Sequence, residues 1–282
     1  MEPLIRNISD TARWVAIFRA EESERPDALF KDPFARMLAG KRGEDIANAL
    51  EFSKKNSWSF VARTFLFDQF ILKHVAQGYD MVINLAAGLD TRPYRMALPS
   101  TLKWIEVDLP GMISYKEPLL AGEEPVCSLQ RISLDLSLKK ERLALFKQLS
   151  EQANQILIVS EGLITYLDYH EVESLAENLS GFNNFKRWVF DLMSPGLLEM
   201  AQKELGSFLE EANSRLKFAP EAGESFFLNH GWKPIESKSK LKTAAELNRL
   251  NGDMLSYAAY PEPEGARGSY LWIGVCLFEN IS

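Results

Sequence analysis

Short apolar runs alternating with longer stretches of helical period constrain this chain more than any other feature. "DMVINLAA" (80–87), "LKWIEVD" (102–108), "QILIVSEG" (155–162) and "RWVFDLM" (187–193) are β-branched or aromatic and apolar almost throughout. Strands covered on both faces have that composition. Between the last two lies "DYHEVESLAENLSGF", where Asp168 and Glu171 form a capping box and Gly181 ends a helix. Strands alternating with helices require right-handed crossovers, so the expected fold class is α/β, a parallel, doubly wound sheet.

The flanks of this pattern are helical. "DTARWVAIFRAEE" offers Asp10 or Thr11 as an N-cap, and "KDPFARMLAG" starts on a Pro and stops at Gly40. "VARTFLFDQFILKHVAQG" places Phe65, Phe67, Ile71, Leu72 and Val75 near helical spacing and ends at Gly78, leading into the first strand. Residues 1–60 therefore read as an N-terminal helical cap. Beyond the fourth run, "SPGLLEMAQKELGSFLEEANSRL" and "KTAAELNRLNGD" are helical, and "SYLWIGVCLFE" is a closing strand. Residues 196–256 read as a helical insertion that returns to the sheet and is well placed as a lid.

An open parallel sheet binds ligands at the carboxyl ends of its strands. After the first run comes "NLAAGLDTRPYR", which begins like a nucleotide-binding loop. Only Gly88 of the three fingerprint glycines is present, with Ala86 in the first position and Asp90 in the third. A pyrophosphate would meet an acid there and find few backbone N–H groups, which disfavours a nicotinamide-dependent oxidoreductase.

Acids recur at the other strand ends. Period-2 alternation puts Glu106 and Asp108 on one face, and Asp108 lies about 20 residues past the loop, where nucleoside-binding folds keep a ribose carboxylate. Asp135 and Leu136 follow in "SLDLS", and the run 155–162 carries Glu161 at its end. Each acid alone reads equally as a cap or turn former. Together they call for a ligand with hydroxyl and amine donors and positive charge. S-adenosylmethionine has a sulfonium, an α-ammonium, a ribose diol, an adenine amine and one carboxylate. Arg63 is a fork-shaped partner for that carboxylate or a surface ion pair, and Glu106 caps a turn if Asp108 takes the ribose.

Charge and cysteine usage narrow the partners. A net charge of −7, from 39 acidic and 32 basic side chains, argues against a nucleic-acid binder that depends on a broad basic face. No stretch reaches the ~20 apolar residues of a membrane span, and the N-terminus has no apolar leader core. Cys127 and Cys276 are isolated, without metal-ligand spacing, and leave a disulfide open. These features set the expectation of a cytoplasmic protein that binds neither membrane nor nucleic acid.

The segments "NLAAGLDT", "IEVDLP", "LDLS" and "SEGLITYL", in this order and spacing, resemble the leucine carboxyl methyltransferase-like family of S-adenosylmethionine-dependent O-methyltransferases. The similarity runs from "ISDTARWVAIFRAEE" and "KDPFARMLAG" to "FFLNHGW" near 226–232. It implies one Rossmann-like class I methyltransferase domain over 1–282, with a mostly parallel seven-stranded sheet, helices on both faces and a helical lid. By this resemblance Arg63 holds the methionine carboxylate, Ala86 and Gly88 line the methionyl end beside Asp90, and Asp108 takes the ribose. Asp135 and Leu136 take the adenine, and Glu161 the methionyl and amino side. Arg13 fills the N-terminal basic position, with Arg19 as the alternative. Ala86 departs from the Gly usual in phosphatase-directed members, and "TRPYR" and "TARWVAIFRAEE" look like the bacterial small-molecule branch.

The expected reaction is methyl transfer to a carboxylate or hydroxyl of a small molecule such as a secondary metabolite. A protein C-terminal carboxyl methyltransferase and a non-catalytic binder are the alternatives. In-line transfer asks mainly for a nucleophile held ~3 Å from the methyl and for exclusion of water. A carboxylate needs no base, whereas an alcohol or phenol benefits from one. Tyr166 and His170 are on the correct side of the sheet for catalytic contact with substrate, or are a packing aromatic and a solvated helix-start residue. Arg92 and Arg95 face an acidic acceptor or anchor the loop.

Overall fold

The protein is described from a computed structural model that covers residues 8–50, 54–211, 215–250, 252–263 and 268–282. Parts of the expected cap (1–7, 51–53) and insertion (212–214, 251) lie outside the described residues. Helices α1 (Ile8–Glu24), α2 (Ala35–Ala49) and α3 (Ser57–Ala76) precede strand β1 (Met81–Leu85). Then follow α4 (Arg92–Arg95), β2 (Lys103–Asp108), α5 (Pro110–Leu119), β3 (Ser128–Ser133), α6 (Lys139–Ser150) and β4 (Ile156–Ser160). A 3-10 turn (Ile164–Tyr166) leads to α7 (Tyr169–Ser180), β5 (Phe185–Met193) and α8 (Pro195–Glu211). The chain closes with a 3-10 stretch (Gly223–His230), β6 (Trp232–Ser239), α9 (Lys240–Glu246), α10 (Gly252–Ala258) and β7 (Ile273–Asn280).

The strands form one seven-stranded sheet in the order β3-β2-β1-β4-β5-β7-β6. β1 pairs in parallel with β2 and β4, β2 with β3, and β4 with β5. β7 is antiparallel to both β5 and β6. The register explains that reversal. Met193 ends β5 opposite Ile273, and Ser239 ends β6 opposite Gly274. Helices α9 and α10 leave and return on that one edge, so the last strand can only run back.

Both faces of the central strands are covered, which is why β1 and β4 are apolar at every position but one. Ile83, Ile105 and Ile158 pack with Val172, Leu175 and Phe146 from α7 and α6. The alternate residues Val82, Trp104 and Leu157 pack with Phe67, Phe70 and Ile71 of α3. A third cluster, with Trp14, Phe18, Leu38, Met112 and Leu205, joins α1, α2, α5 and α8 over the carboxyl edge. The expected capping box on α7 forms in both directions: Asp168 accepts from the Glu171 N–H at 3.0 Å, and Glu171 from the Asp168 N–H at 2.8 Å.

Three expectations change. Gly40 kinks α2 at φ 58° and the helix resumes to Ala49, where a stop was expected. The insertion 196–256 is not helical throughout, because it supplies β6 as an edge strand. β3, at the opposite edge, was not located by the apolar runs, although the resemblance implied seven strands. Cys127 and Cys276 are both free and buried. No helix among the described residues is long and apolar enough to cross a membrane.

Candidate functional site

The strand order reverses between β1 and β4, so the loops after these strands part and leave a crevice above their carboxyl ends. Ala86 leaves β1 in the left-handed region at φ 53°, a conformation that costs a non-glycine residue about 1 kcal/mol or more. The turn is held from β2: Asp108 accepts the Gly88 N–H at 2.6 Å and the Leu109 N–H at 2.7 Å. Burial pushes the Asp108 carboxyl above its ordinary range, and these two N–H groups offset part of the shift. A carboxylate has about four lone-pair directions, so Asp108 keeps acceptor capacity at the crevice wall.

Asp90 braces the loop. It accepts from the Asn84 amide at 2.7 Å, the Arg92 N–H at 2.9 Å and Arg92 Nη1 at 3.0 Å. Arg92 also reaches Asp68 on α3 at 2.6 Å and Glu161 after β4 at 2.8 Å, while Arg95 doubles the grip on Asp68 at 2.7 and 2.9 Å. Arg92 and Arg95 are thus loop anchors, which decides between the two readings of "TRPYR".

Glu161 is the node of the network. Arg63 Nε donates to one oxygen at 2.9 Å and Arg92 Nη2 lies 2.8 Å from the other. Burial pushes the Glu161 carboxyl up, yet Arg92, Arg63 and Arg19 outweigh it and hold the pKa at about 2. Next to it Gly162, at φ 69°, donates its N–H to Asp191 of β5 at 2.6 Å. A Cβ there would lie 3.2 Å from Arg63 Nη1, so both the backbone and the packed guanidinium demand glycine. Asp191 Oδ2 faces Arg63 Nη1 at 3.5 Å and Lys240 Nζ at 3.3 Å.

The adenine-side candidates are held by a residue the sequence did not mark. Asp135 accepts the Ser137 N–H at 2.9 Å, and the Leu136 carbonyl accepts from Arg142 Nη1 at 2.8 Å. Arg142 is buried and also bonds Ser174 and Asn178 on α7, so it pins this loop to the helix.

These groups surround a cavity of about 740 Å³, within the range of small-molecule sites. Arg63, Ala86, Gly88, Asp90, Asp108, Asp135, Leu136, Glu161 and Tyr166 all line it. Apolar side chains from α1, β5 and α8 also line it: Trp14 and Val15, Met193, Leu197, Met200 and Leu205, with Leu216 beside them. Tyr166 hydrogen-bonds to Thr11, and burial raises its phenol above the ordinary value, against the pull of Arg63 and Thr11.

Three candidates sit elsewhere. Arg13 does not line the cavity; its guanidinium lies 4.0 Å from the centroid of the Tyr115 ring. From α1 the cavity is lined by Thr11, Ala12, Trp14, Val15 and Arg19, and position 13 is turned away from it. Arg19, the alternative, is among these, with Asp32 at 2.9 Å and the Leu89 carbonyl at 2.6 Å. Glu106 is fully buried against Lys116 at 2.9 Å and Arg131 at 2.9 Å, away from the cavity. Its alternation with Asp108 put it on the lip, but the helix following β2 brings Lys116 back underneath. His170 reaches only the rim: its side chain is 96% exposed and its Nδ1 lies 3.2 Å from Glu173. Asp191 and Lys240 line the cavity without having been expected. An acid within the apolar run "RWVFDLM" was the available signal for Asp191, and the lysine-rich "ESKSKLK" offered none for Lys240.

Comparison with known proteins bears on the family and the fold. A model of the leucine carboxyl methyltransferase family matches residues 12–180. Two relatives carry the name "Putative S-adenosyl-L-methionine-dependent methyltransferase". One, from Streptomyces coelicolor, is 31% identical over 79% of this chain and 82% of its own length. The other, from Mycobacteroides abscessus, is 33% identical over 62% of this chain and 60% of its own length. Among solved structures, one titled as a putative methyltransferase from Thermobifida fusca shares the fold, with TM-score 0.59 and 13% identity over 99% of this chain and 96% of that one. With more than half of its length matched by the family model, and 31% identity to a relative across most of it, the chain belongs to the leucine carboxyl methyltransferase family of S-adenosylmethionine-dependent enzymes.

Proposed function

We propose that this protein is an O-methyltransferase that acts on an apolar small molecule, methylating a carboxylate or hydroxyl oxygen. The observation that carries this reading is the division of one cavity into an ion-paired floor and an apolar roof. S-adenosylmethionine fits the floor's donor set. Asp108, with lone pairs to spare, suits a ribose diol, and the Asp135–Leu136 loop an adenine edge. Glu161 beside Arg63 suits an amino-acid head that is itself a zwitterion. Asp108 and Asp135, which have no cationic partner among the described residues, favour hydroxyl and amine donors over a pyrophosphate, which supports the choice of a phosphate-free nucleoside.

When bound, the cofactor supplies an electrophilic methyl on its sulfonium. The protein's share is placement and dryness. Glu161, Arg63 and Asp108 hold their partners through bonds already formed in the protein, so little reorganisation accompanies binding. The N-terminal cap and α8 close the roof as a lid: Trp14 and Leu205 share one packed cluster, and with Val15, Leu197 and Met200 they line the cavity and keep water from the acceptor oxygen. A carboxylate acceptor needs no base. For a hydroxyl acceptor, the Tyr166 oxygen is the available polar partner, with Thr11 and Arg63 beside it.

Calorimetric and thermal-shift titration test the reading. S-adenosylmethionine and S-adenosylhomocysteine are expected to bind and NAD is not, with stabilisation of about 2.7 kcal/mol at a hundredfold excess over Kd. No response to either sulfur ligand would overturn it.

A further inference from the structure

Lys240 is the first residue of α9, directly after β6, and it is only 2% exposed although it lines the cavity. Its backbone is fixed, because the Ser239 hydroxyl caps the helix by accepting the Lys242 N–H at 3.3 Å. An ammonium carries three donors, and the partner seen for this one is Asp191 Oδ2, at 3.3 Å. That same oxygen faces Arg63 Nη1 at 3.5 Å. Two cationic heads, one from α3 and one from α9, therefore converge on one carboxylate oxygen in the cavity wall.

A buried ammonium with one long bond is under-satisfied, and the cost of that burial is offset only if something else accepts from it. The order of charges suggests what does. Along the floor run Lys240, Asp191, Arg63, Glu161 and Arg92, alternating in sign. An α-amino acid head presents one ammonium and one carboxylate. Glu161 matches the first, but Arg63 already spends its Nε on Glu161 and leans on Asp191, so a single guanidinium is a shared anchor for the second. Burial, opposed by Asp191 and reinforced by Arg63, brings Lys240 down to about 8, which also fits a cation awaiting a second anion.

We propose that Lys240 is a cofactor-binding residue, the second cation for the carboxylate of the cofactor's amino-acid end, with Asp191 as the brace that holds Lys240 and Arg63 apart around it. This rests on the methyltransferase reading above. The acceptor is not its target, because Lys240 shares its counter-ion with Arg63 at the floor, whereas the roof is apolar.

The test compares two ligands by calorimetry: S-adenosylhomocysteine, and S-adenosyl-3-thiopropylamine, which keeps the ammonium and lacks only the carboxylate. In Lys240→Met, S-adenosylhomocysteine should weaken on the order of tenfold, as for a lost charge-assisted bond, while the decarboxylated ligand changes less than twofold. Lys240→Arg should restore most of the preference. If Lys240→Met folds poorly because Asp191 is left short of a cation, the double variant Lys240→Met/Asp191→Asn removes the orphan and should show the same selective loss. Equal weakening of both ligands would make Lys240 structural, and unchanged affinities for both would remove it from the cofactor site; either result overturns the proposal. Failure of the wild type to bind S-adenosylhomocysteine would instead remove the methyltransferase reading, so the two failures are distinct.

Discussion

The floor and the roof of the cavity are built by different physics. On the floor, the carboxylates that follow β1 and β4 and the one within β5 have cationic partners: Asp90, Glu161 and Asp191 are tied to Arg92, Arg63 and Lys240, and through them to α3 and α9. Arg63, Arg92 and Glu161 are over-determined, since displacing any one of them breaks two or three bonds. The roof has packing without direction: Trp14, Val15, Leu197, Met200 and Leu205 fill space and specify shape only loosely. A rigid, charged floor is suited to one invariant cofactor, and an apolar roof can be re-cut for different acceptors. The family match cuts across this division: it spans residues 12–180, so it takes in Trp14 and Val15 of the roof and leaves Asp191 and Lys240 of the floor outside.

The largest effect should come from cutting the floor at Arg92. Its guanidinium serves Asp68, Asp90 and Glu161 at once, 3% exposed. In Arg92→Met these acids lose a shared cation, and removing one partner of a buried pair costs about 3–5 kcal/mol. Thermal unfolding should show a midpoint lower by roughly 10 °C, with loss of S-adenosylhomocysteine binding. A midpoint within 2 °C of wild type would mean that the network is not what holds the loop.

That dependence on tertiary partners also sets what was legible in the sequence. β1, β2, β4, β5 and β7 were readable because both faces are buried and the runs are apolar. β3 and β6 were not, because they are the two edges: "SLQRIS" and "WKPIESKS" are largely exposed, and Pro234 sits where the pairing of β6 with β7 shifts register. Asp108 and Glu161 were readable from their place at strand ends. Whether an acid there faces the cavity or a buried lysine depends on the next helix, which is why Glu106 looked equivalent to Asp108 and is not. Lys240 reaches the site through sheet topology alone, from 49 residues beyond Asp191, and no local pattern announces that.

An intermediate effect should separate roof from floor. Met200 faces the cavity from α8 and is only half-buried, so Met200→Gln should leave the fold intact. It places an amide against an apolar acceptor, an uncompensated polar contact of about 1–3 kcal/mol, or roughly tenfold in kcat/KM. The Kd for S-adenosylhomocysteine should stay within twofold. Equal losses in both quantities would show that roof and floor are one site and that the comparison fails.

The smallest effect is expected at the border between them, at His170. An imidazole near a reactive centre is an attractive base, and the sequence placed this one just after the Glu161 loop. The geometry removes the advantage. The side chain is 96% exposed on the first turn of α7 and turned toward Glu173, so it can neither desolvate an acceptor oxygen nor be held against one. Tyr166, four residues earlier, is the contrasting case: its 3-10 turn folds it into the cavity against Thr11 and Arg63. His170→Ala should therefore change stability by less than about 0.5 kcal/mol, as surface substitutions do, and leave kcat/KM within twofold between pH 6 and 8. A tenfold fall with an unchanged melting midpoint would require the rim of α7 to move inward during turnover. The boundary drawn between a fixed floor and an adaptable roof would then have to include α7 on the moving side.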